Sequence, residues 1–154
     1  MEYICDFHVH SKYSRATSKE MNLENLEKWA GIKGISVIGT GDFTHPAWFS
    51  ELSKKLEPAE EGLYKLKVKN EKLKIDERIF RFILTAEISS IYSKGGKTRR
   101  VHNLIFAPSL KIVGKINKRL GAIGNLKSDG RPILGLGAKE LAEIVFGVSE
   151  DCLV

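Results

Sequence analysis

Short apolar runs alternate with helical patterns through the first third of the chain, and this alternation limits the possible folds more than any other feature. Segments 3–7 and 35–39 have the apolar character of buried strands. Asn22 is a suitable N-cap for a helix between them, and Pro46 suits the first turn of a helix that follows the second run. The order strand, helix, strand, helix predicts an α/β fold with a mostly parallel sheet.

A β-hairpin is predicted around residues 80–107, where two further apolar runs flank a glycine-rich turn. If Gly95 and Gly96 form the centre of this turn, Glu87 on the first strand and His102 on the second point to the same face of the hairpin. A shift of one residue in either strand would place them on opposite faces. The register of the hairpin therefore tests whether these two side chains share a site.

Two more helices are predicted at 110–120 and 138–146 from the spacing of their apolar residues. The lysine-rich segment 57–78 is compatible with either a partly ordered helix or a short hairpin. Its lysines are interpreted as a solvated basic face rather than as a binding groove.

Length and charge set the outer limits. A chain of 154 residues is long enough for one domain, and we expect a single domain over residues 1–154. The net charge of +6 is compatible with a polyanionic partner. No apolar stretch is long enough to span a membrane, and the first residues lack the pattern of a secretory signal. A cytoplasmic protein without membrane association is expected.

The histidines are the main candidates for chemistry, because each lies at or beside the end of an apolar run. The chain has four of them: His8, His10, His45 and His102. Functional groups of α/β folds gather at the carboxyl ends of parallel strands, and alternation in an extended segment directs residues 8 and 10 the same way. Two imidazoles placed in this way are able to bind one metal ion.

Carboxylates accompany the histidines at the same places in the pattern. Asp42 follows the second apolar run, and Glu87 follows the run that begins the hairpin. Taken alone, a His-x-His pair is weak evidence, since two histidines often lie together on a surface by chance. A surface histidine and a hydrogen-bonded edge glutamate would likewise explain Glu87 and His102 without a metal.

Several segments resemble successive motifs of the PHP (polymerase and histidinol phosphatase) family. They are residues 6–11, 39–42, 86–87 and 101–104. Residues 10–18 and 41–48 further resemble the branch of that family that contains archaeal endonuclease Q, which nicks DNA on the 5′ side of deaminated bases. The resemblance extends through nearly all of the chain.

The resemblance implies a metal site of two or three Zn, Mn or Fe ions inside a distorted barrel of seven βα units. By position, His8 and His10 would hold a first ion, Glu87 would bridge ions, and His102 would help to hold a second. Asp42 and His45 match the motif that serves a third ion or its surroundings. Asp42 and Glu87 are the expected catalytic residues.

The sequence departs from the family pattern in two respects. Arg15 stands where many relatives have an acidic or histidine ligand, so three alternatives stay open: a third metal is absent, it is held differently, or a phosphate-binding arginine replaces it. The resemblance also implies later ligands, including a closing Asp-x-His pair, for which the 154 residues leave no room, since a complete βα barrel takes about 250 residues. We therefore expect an N-terminal portion with an incomplete metal shell and an open sheet edge that is available to a second copy.

The implied reaction is metal-dependent phosphodiester hydrolysis, with DNA as the partner of the full-length protein. Lys97, Arg99 and Arg100 on the hairpin, together with Arg15, are the candidate phosphate contacts. Solvated turn residues that protect a sheet edge from aggregation explain the three hairpin cations equally well. Two other functions stay open: a PHP phosphatase acting on a small phosphate ester, and a catalytically deficient fragment that binds metal or nucleic acid.

Overall fold

Seven strands and four helices make up the part of the chain that the computed structural model describes, residues 2–67 and 80–154. The strands are β1 (Cys5–Asp6), β2 (Val37–Gly39), β3 (Leu56–Pro58), β4 (Leu63–Leu66), β5 (Arg81–Lys94), β6 (Lys97–Ala107) and β7 (Ile133–Leu134). The helices are α1 (Leu23–Lys33), α2 (Pro46–Lys55), α3 (Leu110–Gly121) and α4 (Ala138–Phe146). The predicted α/β class is therefore confirmed.

The described strands form a mixed sheet. Its strand order is β1-β2-β5-β4-β3, and β6 and β7 pair with β5 outside this path. The pairs β1–β2, β2–β5 and β5–β7 are parallel, whereas β3–β4, β4–β5 and β5–β6 are antiparallel. The expected parallel order thus holds for the first strands, and the strands that run antiparallel to β5 make the whole sheet mixed.

β5 organises the sheet because its two halves have different partners. Its first residues pair with β2 and β4, and from Leu84 onward it pairs with β6, with β7 alongside at Ser89 and Ser90. Aromatic and β-branched residues are frequent in this 14-residue strand, which suits a pleated and buried element. Glu87 therefore lies in the middle of the most extensively paired strand.

The hairpin of β5 and β6 has the predicted register. Glu87 pairs with Leu104 and Ser89 pairs with His102. The turn is formed by Gly95 and Gly96, whose φ angles of 60° and 71° are ones that a two-residue hairpin turn requires. Alternation along both strands therefore places the side chains of Glu87 and His102 on one face.

The first strand is shorter and more exposed than predicted. The sequence indicated a buried strand over 3–7, but β1 covers only Cys5–Asp6, and both residues are exposed. Among the described strands β1 pairs only with β2, so its other edge is open. The prediction of burial was wrong because an apolar run has the same composition on an uncovered edge as in a core.

The helix boundaries follow from local signals in the sequence. The side chain of Asn22 accepts a hydrogen bond from the backbone N–H of Asn25 at 2.9 Å, which caps α1. Gly34 ends the helix with a φ of 71°. Pro46 begins α2, and Ser109 caps α3 by accepting from the backbone N–H of Ile112 at 3.3 Å.

Trp48 connects the core to the segment that follows β2. Its side chain is fully buried, and its indole N–H donates to the carbonyl oxygens of Thr40 at 3.2 Å and Gly41 at 2.9 Å. Phe43, on the same segment, is also fully buried. The backbone after β2 is therefore fixed by packing and hydrogen bonds before any ligand binds.

Within the lysine-rich segment the structure describes a hairpin, one of the two expected alternatives. β3 and β4 pair antiparallel, with Leu56 opposite Leu66. Residues 68–79, which include the other lysines of that prediction, lie outside the described residues. In the described ranges, no helix combines the length and the apolar character that crossing a bilayer requires.

Candidate metal centre

Three side chains predicted as ligands converge at one place in the fold. Nε2 of His8 lies 2.7 Å and Nε2 of His10 lies 3.0 Å from Oε2 of Glu87. Among the described residues these three form a group whose ligand atoms all lie within 4.8 Å of one another. Glu87 is buried, with 2% of its side chain exposed, whereas the side chain of His8 is 56% exposed. The group therefore opens towards solvent on the histidine side.

The sheet brings these residues together because β1, β2 and β5 are parallel neighbours. His8 and His10 follow the carboxyl end of β1, and β2 ends at Gly39, which pairs with Ile83. β5 continues beyond that point, so Glu87 lies past the ends of both shorter strands. The place where the short strands end leaves room for side chains from the following loops, as at the functional edge of other α/β sheets.

His102 approaches the same carboxylate from the hairpin. Its Nδ1 lies 2.5 Å from Oε1 of Glu87, whereas the hydrogen bond of His8 and the ion pair of His10 are with Oε2. The approach lacks the direction of a hydrogen bond, and this buried oxygen has no hydrogen-bond partner among the described residues. Imidazoles thus approach both oxygens of Glu87, and its bridging role stays a prediction.

Asp42 contacts Nδ1 of His10, the ring nitrogen other than the one that contacts Glu87. The fully buried carboxylate places Oδ1 2.9 Å from Nδ1 of His10. Its Oδ2 accepts from the backbone N–H of Ser11 at 2.6 Å, from the hydroxyl of Ser11 at 2.7 Å and from the hydroxyl of Ser14 at 2.9 Å. A carboxylate that accepts from one ring nitrogen fixes the tautomer of a histidine and directs the other nitrogen towards a metal.

A tight turn places Asp42 in this position. Gly41 and Asp42 have φ angles of 61° and 50°, in the left-handed region that favours glycine and that aspartate tolerates. A Cβ at Gly41 would clash with the carbonyl oxygen of Val9. Glycine at this position therefore allows the loop after β2 to pack directly against the loop that carries the two histidines.

The electrostatic surroundings favour the protonated form of His10. The hydrogen bond with Asp42 raises the pKa of His10 above its ordinary 6.5, burial opposes this shift, and the charges of Asp42 and Glu87 add to it. The positive charge of Arg131 lowers the same pKa. A centre with this much negative charge around its histidines is one that attracts cations.

His45 lies beside this group but not within it. It is the N-cap residue before α2, and its ring stacks on Tyr13 with the centroids 4.4 Å apart. Tyr13 is fixed in turn by a hydrogen bond of 2.6 Å from its hydroxyl to Glu51, which raises the pKa of Tyr13 to about 12. Nδ1 of His45 is buried without a hydrogen-bond partner among the described residues. Its role as a metal ligand, like that of Asp42, stays a prediction.

The basic residues predicted to contact DNA have different positions around the centre. On β6, Arg100 lies on the same face as His102 and Glu87, whereas Lys97 and Arg99 lie on the opposite face. Arg15 has an 81% exposed side chain, and its Nε lies 3.4 Å from Oδ2 of Asp129. Of the three hairpin cations, Arg100 alone is directed to the metal side.

Sequence reasoning missed Arg131, whose guanidinium lies 3.7 Å from Oε1 of Glu87. The residue precedes β7, which is too short, at two residues, to be recognised from apolar periodicity. The one available signal was a Gly-Arg-Pro sequence before the short apolar run 132–136. The hydroxyls of Ser11 and Ser14 were also missed, because their contacts with Asp42 depend on long-range folding.

The donor set fits divalent metal ions. Three imidazole nitrogens and one carboxylate suit Zn, Mn or Fe, whereas Mg and Ca prefer oxygen donors alone. The buried oxygen of Glu87 that lacks a hydrogen bond is an independent sign, since buried carboxylate oxygens normally have partners. The residues present are therefore able to hold such a metal.

Comparison with known proteins gives one curated relative and two solved structures, and no family model matches the chain. The chain is 35% identical over 144 residues to an uncharacterized protein of Methanocaldococcus jannaschii. The matched region covers 93% of this chain and 15% of that protein. Identity at this level over nearly the whole chain indicates that the two share a fold over the matched region.

Both solved structures are of endonuclease Q. One is the lesion-specific endonuclease PfuEndoQ from Pyrococcus furiosus, with 33% identity and a TM-score of 0.76 over 97% of this chain and 32% of that one. The other is endonuclease Q in complex with a 27-mer duplex substrate that has an abasic lesion at the active site. Its identity, TM-score and coverage of this chain are the same, and the match covers 33% of that chain. In sequence and in mixed α/β fold, this chain is thus similar to about one third of a lesion-specific endonuclease.

Proposed function

We propose that this chain carries the metal-binding part of a PHP-type phosphodiesterase that nicks DNA on the 5′ side of deaminated bases, the activity that the resemblance to the endonuclease Q branch implies. One observation carries the proposal: the buried carboxylate of Glu87 lies between His8 and His10 on one side and His102 on the other. The similarity to a lesion-specific endonuclease over 97% of the chain supports the same conclusion.

Each residue of the centre has a proposed role. His8 and His10 would hold one ion, His102 would help to hold a second, and Glu87 would be shared by both. Asp42 orients the ring of His10 through its Nδ1 and keeps Nε2 directed at the ion. When bound, such ions would supply the activation of a water and the stabilisation of the leaving oxygen that phosphodiester hydrolysis requires. The proposal also includes a third ion, with His45 as one of its ligands or as part of its surroundings.

Duplex DNA is the proposed partner. One structural neighbour is bound to a duplex with an abasic lesion, and the net charge of +6 favours association with a polyanion. The exposed side chains of His8 and His102, at 56% and 52%, leave the centre open on one side, which suits a polymer better than a small enclosed ester. Arg15 and Arg100 are proposed phosphate contacts, Arg100 on the face of the hairpin that carries His102, and Lys97 and Arg99 are proposed contacts on its other face.

A nicking assay tests the function. The substrate is an end-labelled duplex with a single uracil, hypoxanthine or abasic site, incubated with the chain and Zn²⁺ or Mn²⁺. We expect a single nick on the 5′ side of the lesion, no nick in the undamaged duplex, and no activity in Glu87→Gln. Release of phosphate from a small ester without nicking would instead show a phosphatase, and binding of metal and DNA without either reaction would show a non-catalytic fragment.

A further inference from the structure

Arg131 is a cation that the fold directs towards the metal centre. Its guanidinium lies 3.7 Å from Oε1 of Glu87, and its side chain is 43% exposed. It belongs to the loop between α3 and β7, far in sequence from every residue that forms the centre. Its position there is therefore a product of the tertiary fold.

The loop that carries Arg131 is fixed on both sides of the centre. The backbone N–H of Gly130 donates to the carbonyl of Tyr13 at 3.0 Å, and the N–H of Ser89 on β5 donates to the carbonyl of Pro132 at 3.0 Å. These two bonds attach the loop to the segment that follows His10 and to the strand that carries Glu87. Arg131 is thereby held between the segment that follows His10 and the strand that carries Glu87.

Gly130 and Asp129 add to this arrangement. A Cβ at Gly130 would clash with Oδ2 of Asp42 and with the hydroxyl of Ser14, so the loop approaches closely only with glycine at this position. Oδ1 of Asp129 accepts from the backbone N–H of Arg131 at 3.1 Å and from that of Arg15 at 3.3 Å. One carboxylate thus links the two segments that present arginines at this edge.

A structural ion pair does not account for Arg131. A separation of 3.7 Å is longer than a hydrogen bond, and water reaches the 43% exposed side chain of Arg131 and screens its charge from the buried Glu87. Both oxygens of Glu87 already face imidazoles. When those ligands hold cations, the guanidinium faces like charge, and its donors are available to an anion on the exposed side.

We infer that Arg131 binds a non-bridging oxygen of the phosphate group that is placed at this centre, and that Asp129 and Gly130 hold it in position. The planar fork of guanidinium donors matches the oxygens of a phosphate, which explains arginine rather than lysine here. The inference deepens the proposed function, on which it rests, by naming the residue that places the reacting phosphate.

The test measures phosphate binding separately from catalysis. Chains loaded with Zn²⁺ or Mn²⁺ are dialysed to equilibrium against labelled inorganic phosphate, and metal content is measured on the same samples. We expect Arg131→Gln to bind phosphate at least about tenfold more weakly, as for the loss of a hydrogen bond to a charged group, with unchanged metal content. The phosphate affinity of Arg131→Lys should lie between that of the parent and that of Arg131→Gln. Lys118→Gln removes an equal charge from the exposed face of α3 and should bind phosphate as the parent does.

Three results would overturn the inference: equal phosphate binding by Arg131→Gln and the parent, loss of metal in Arg131→Gln, or no phosphate binding by the metal-loaded parent. Its failure is distinguishable from failure of the proposed function. If the parent never nicks duplex DNA but binds phosphate through Arg131, the function is wrong and the inference holds. If duplex DNA is nicked with the same kcat and KM in Arg131→Gln, the function holds and the inference is wrong.

Discussion

At the scale of single residues, Glu87 has the largest number of functional contacts in the candidate centre. Its carboxylate is buried, yet its neighbours are imidazoles and a guanidinium rather than backbone donors. A buried carboxylate without hydrogen bonds to one of its oxygens is costly unless a cation compensates for it. A cation held by this group would therefore compensate for the buried charge of Glu87.

Replacing Glu87 by Gln should lower the amount of metal that the chain binds. The change keeps the size of the side chain but removes the negative charge that we propose is shared between two ions. We expect metal content, measured by elemental analysis after dialysis, to fall by half or more. Glu143→Gln, on the exposed surface of α4, is the matched control, and equal metal content in both variants would refute a bridging role.

Asp42→Asn tests the residue behind His10. An amide replaces one acceptor oxygen by a donor, so at least one bond to His10, Ser11 or Ser14 is lost. We expect metal affinity to fall about 10- to 100-fold and the free energy of unfolding to fall by about 1–3 kcal/mol. Metal titration and denaturant unfolding measure the two effects, and Asp151→Asn at an exposed position should change neither.

The pH dependence of stability is predicted to include a contribution from Glu51. Burial raises the pKa of Glu51, but hydrogen bonds from Lys12 and Tyr13 outweigh it and hold the pKa below the ordinary 4.5. Because the folded-state pKa is the lower one, this contribution is present above pH 4.5 and is lost as the pH falls below it. Unfolding of the parent and of Glu51→Gln at about pH 6 and about pH 3.5 measures it. A parent that loses no more stability than Glu51→Gln over this range would contradict the prediction.

At the scale of secondary structure elements, the hairpin of β5 and β6 was the most predictable part of the site. The glycines of its turn and the apolar runs beside them were sufficient to predict the register that brings Glu87 and His102 to one face. Helices α3 and α4 were predicted nearly to their ends, and α1 at its start, because caps and apolar periodicity are local signals. β7 was not predicted, because two residues have no measurable periodicity.

Two glycines in different elements should respond in opposite directions to alanine. At Gly39 on β2 a Cβ would clash with the carbonyl of Phe7 and lie 2.6 Å from Oγ1 of Thr85, so Gly39→Ala should destabilise the fold by about 1–3 kcal/mol. At Gly114 in α3 a Cβ would lie 3.6 Å from the ring of Phe49, an ordinary contact, so Gly114→Ala should stabilise by about 0.5–1 kcal/mol. Denaturant unfolding of both variants measures the contrast, and a stable Gly39→Ala would contradict the close approach of β1 and β2.

At the scale of the whole molecule, the distribution of charge would decide how the chain contacts the duplex DNA that is its proposed partner. Arg100 lies on the metal side of the hairpin, while Lys97 and Arg99 lie on the other side. A duplex that wraps the hairpin would contact both sides, whereas one that rests on the centre would contact one. Pairing of the exposed β1 edge with another copy, and a single domain over residues 1–154, stay predictions.

Changing Lys97, Arg99 and Arg100 together to Gln should weaken binding to duplex DNA and reduce its dependence on salt. Each lost phosphate contact lowers the slope of log K against log salt by about 0.9, so we expect a reduction of about two to three. The control changes Lys111, Lys115 and Lys118 to Gln, which removes the same charge from the exposed face of α3. Equal slopes for the two triple variants would exclude the hairpin from the interface. A reduction of about one would be expected if only Arg100 makes contact.

The sequence by itself determined which residues could form a site and roughly where the elements carrying them begin. Each of these signals is local: a histidine at the end of a strand, the cap of a helix and a glycine turn are each defined by a few neighbouring residues. They can therefore be recognised without a structure. From these signals came His8, His10, Glu87 and His102, which the structure brings into contact around one carboxylate.

Only the tertiary structure decided which residues surround those four. Asp42 holds His10 while His45 stacks on Tyr13 instead, and Arg131 reaches Glu87 from a loop more than forty positions away in the chain. Such contacts depend on how loops pack against one another past the strand ends, where a difference of one residue in a turn moves a side chain by several ångströms. Local sequence patterns contain no record of those distances, because they arise from the packing of segments that are remote in sequence.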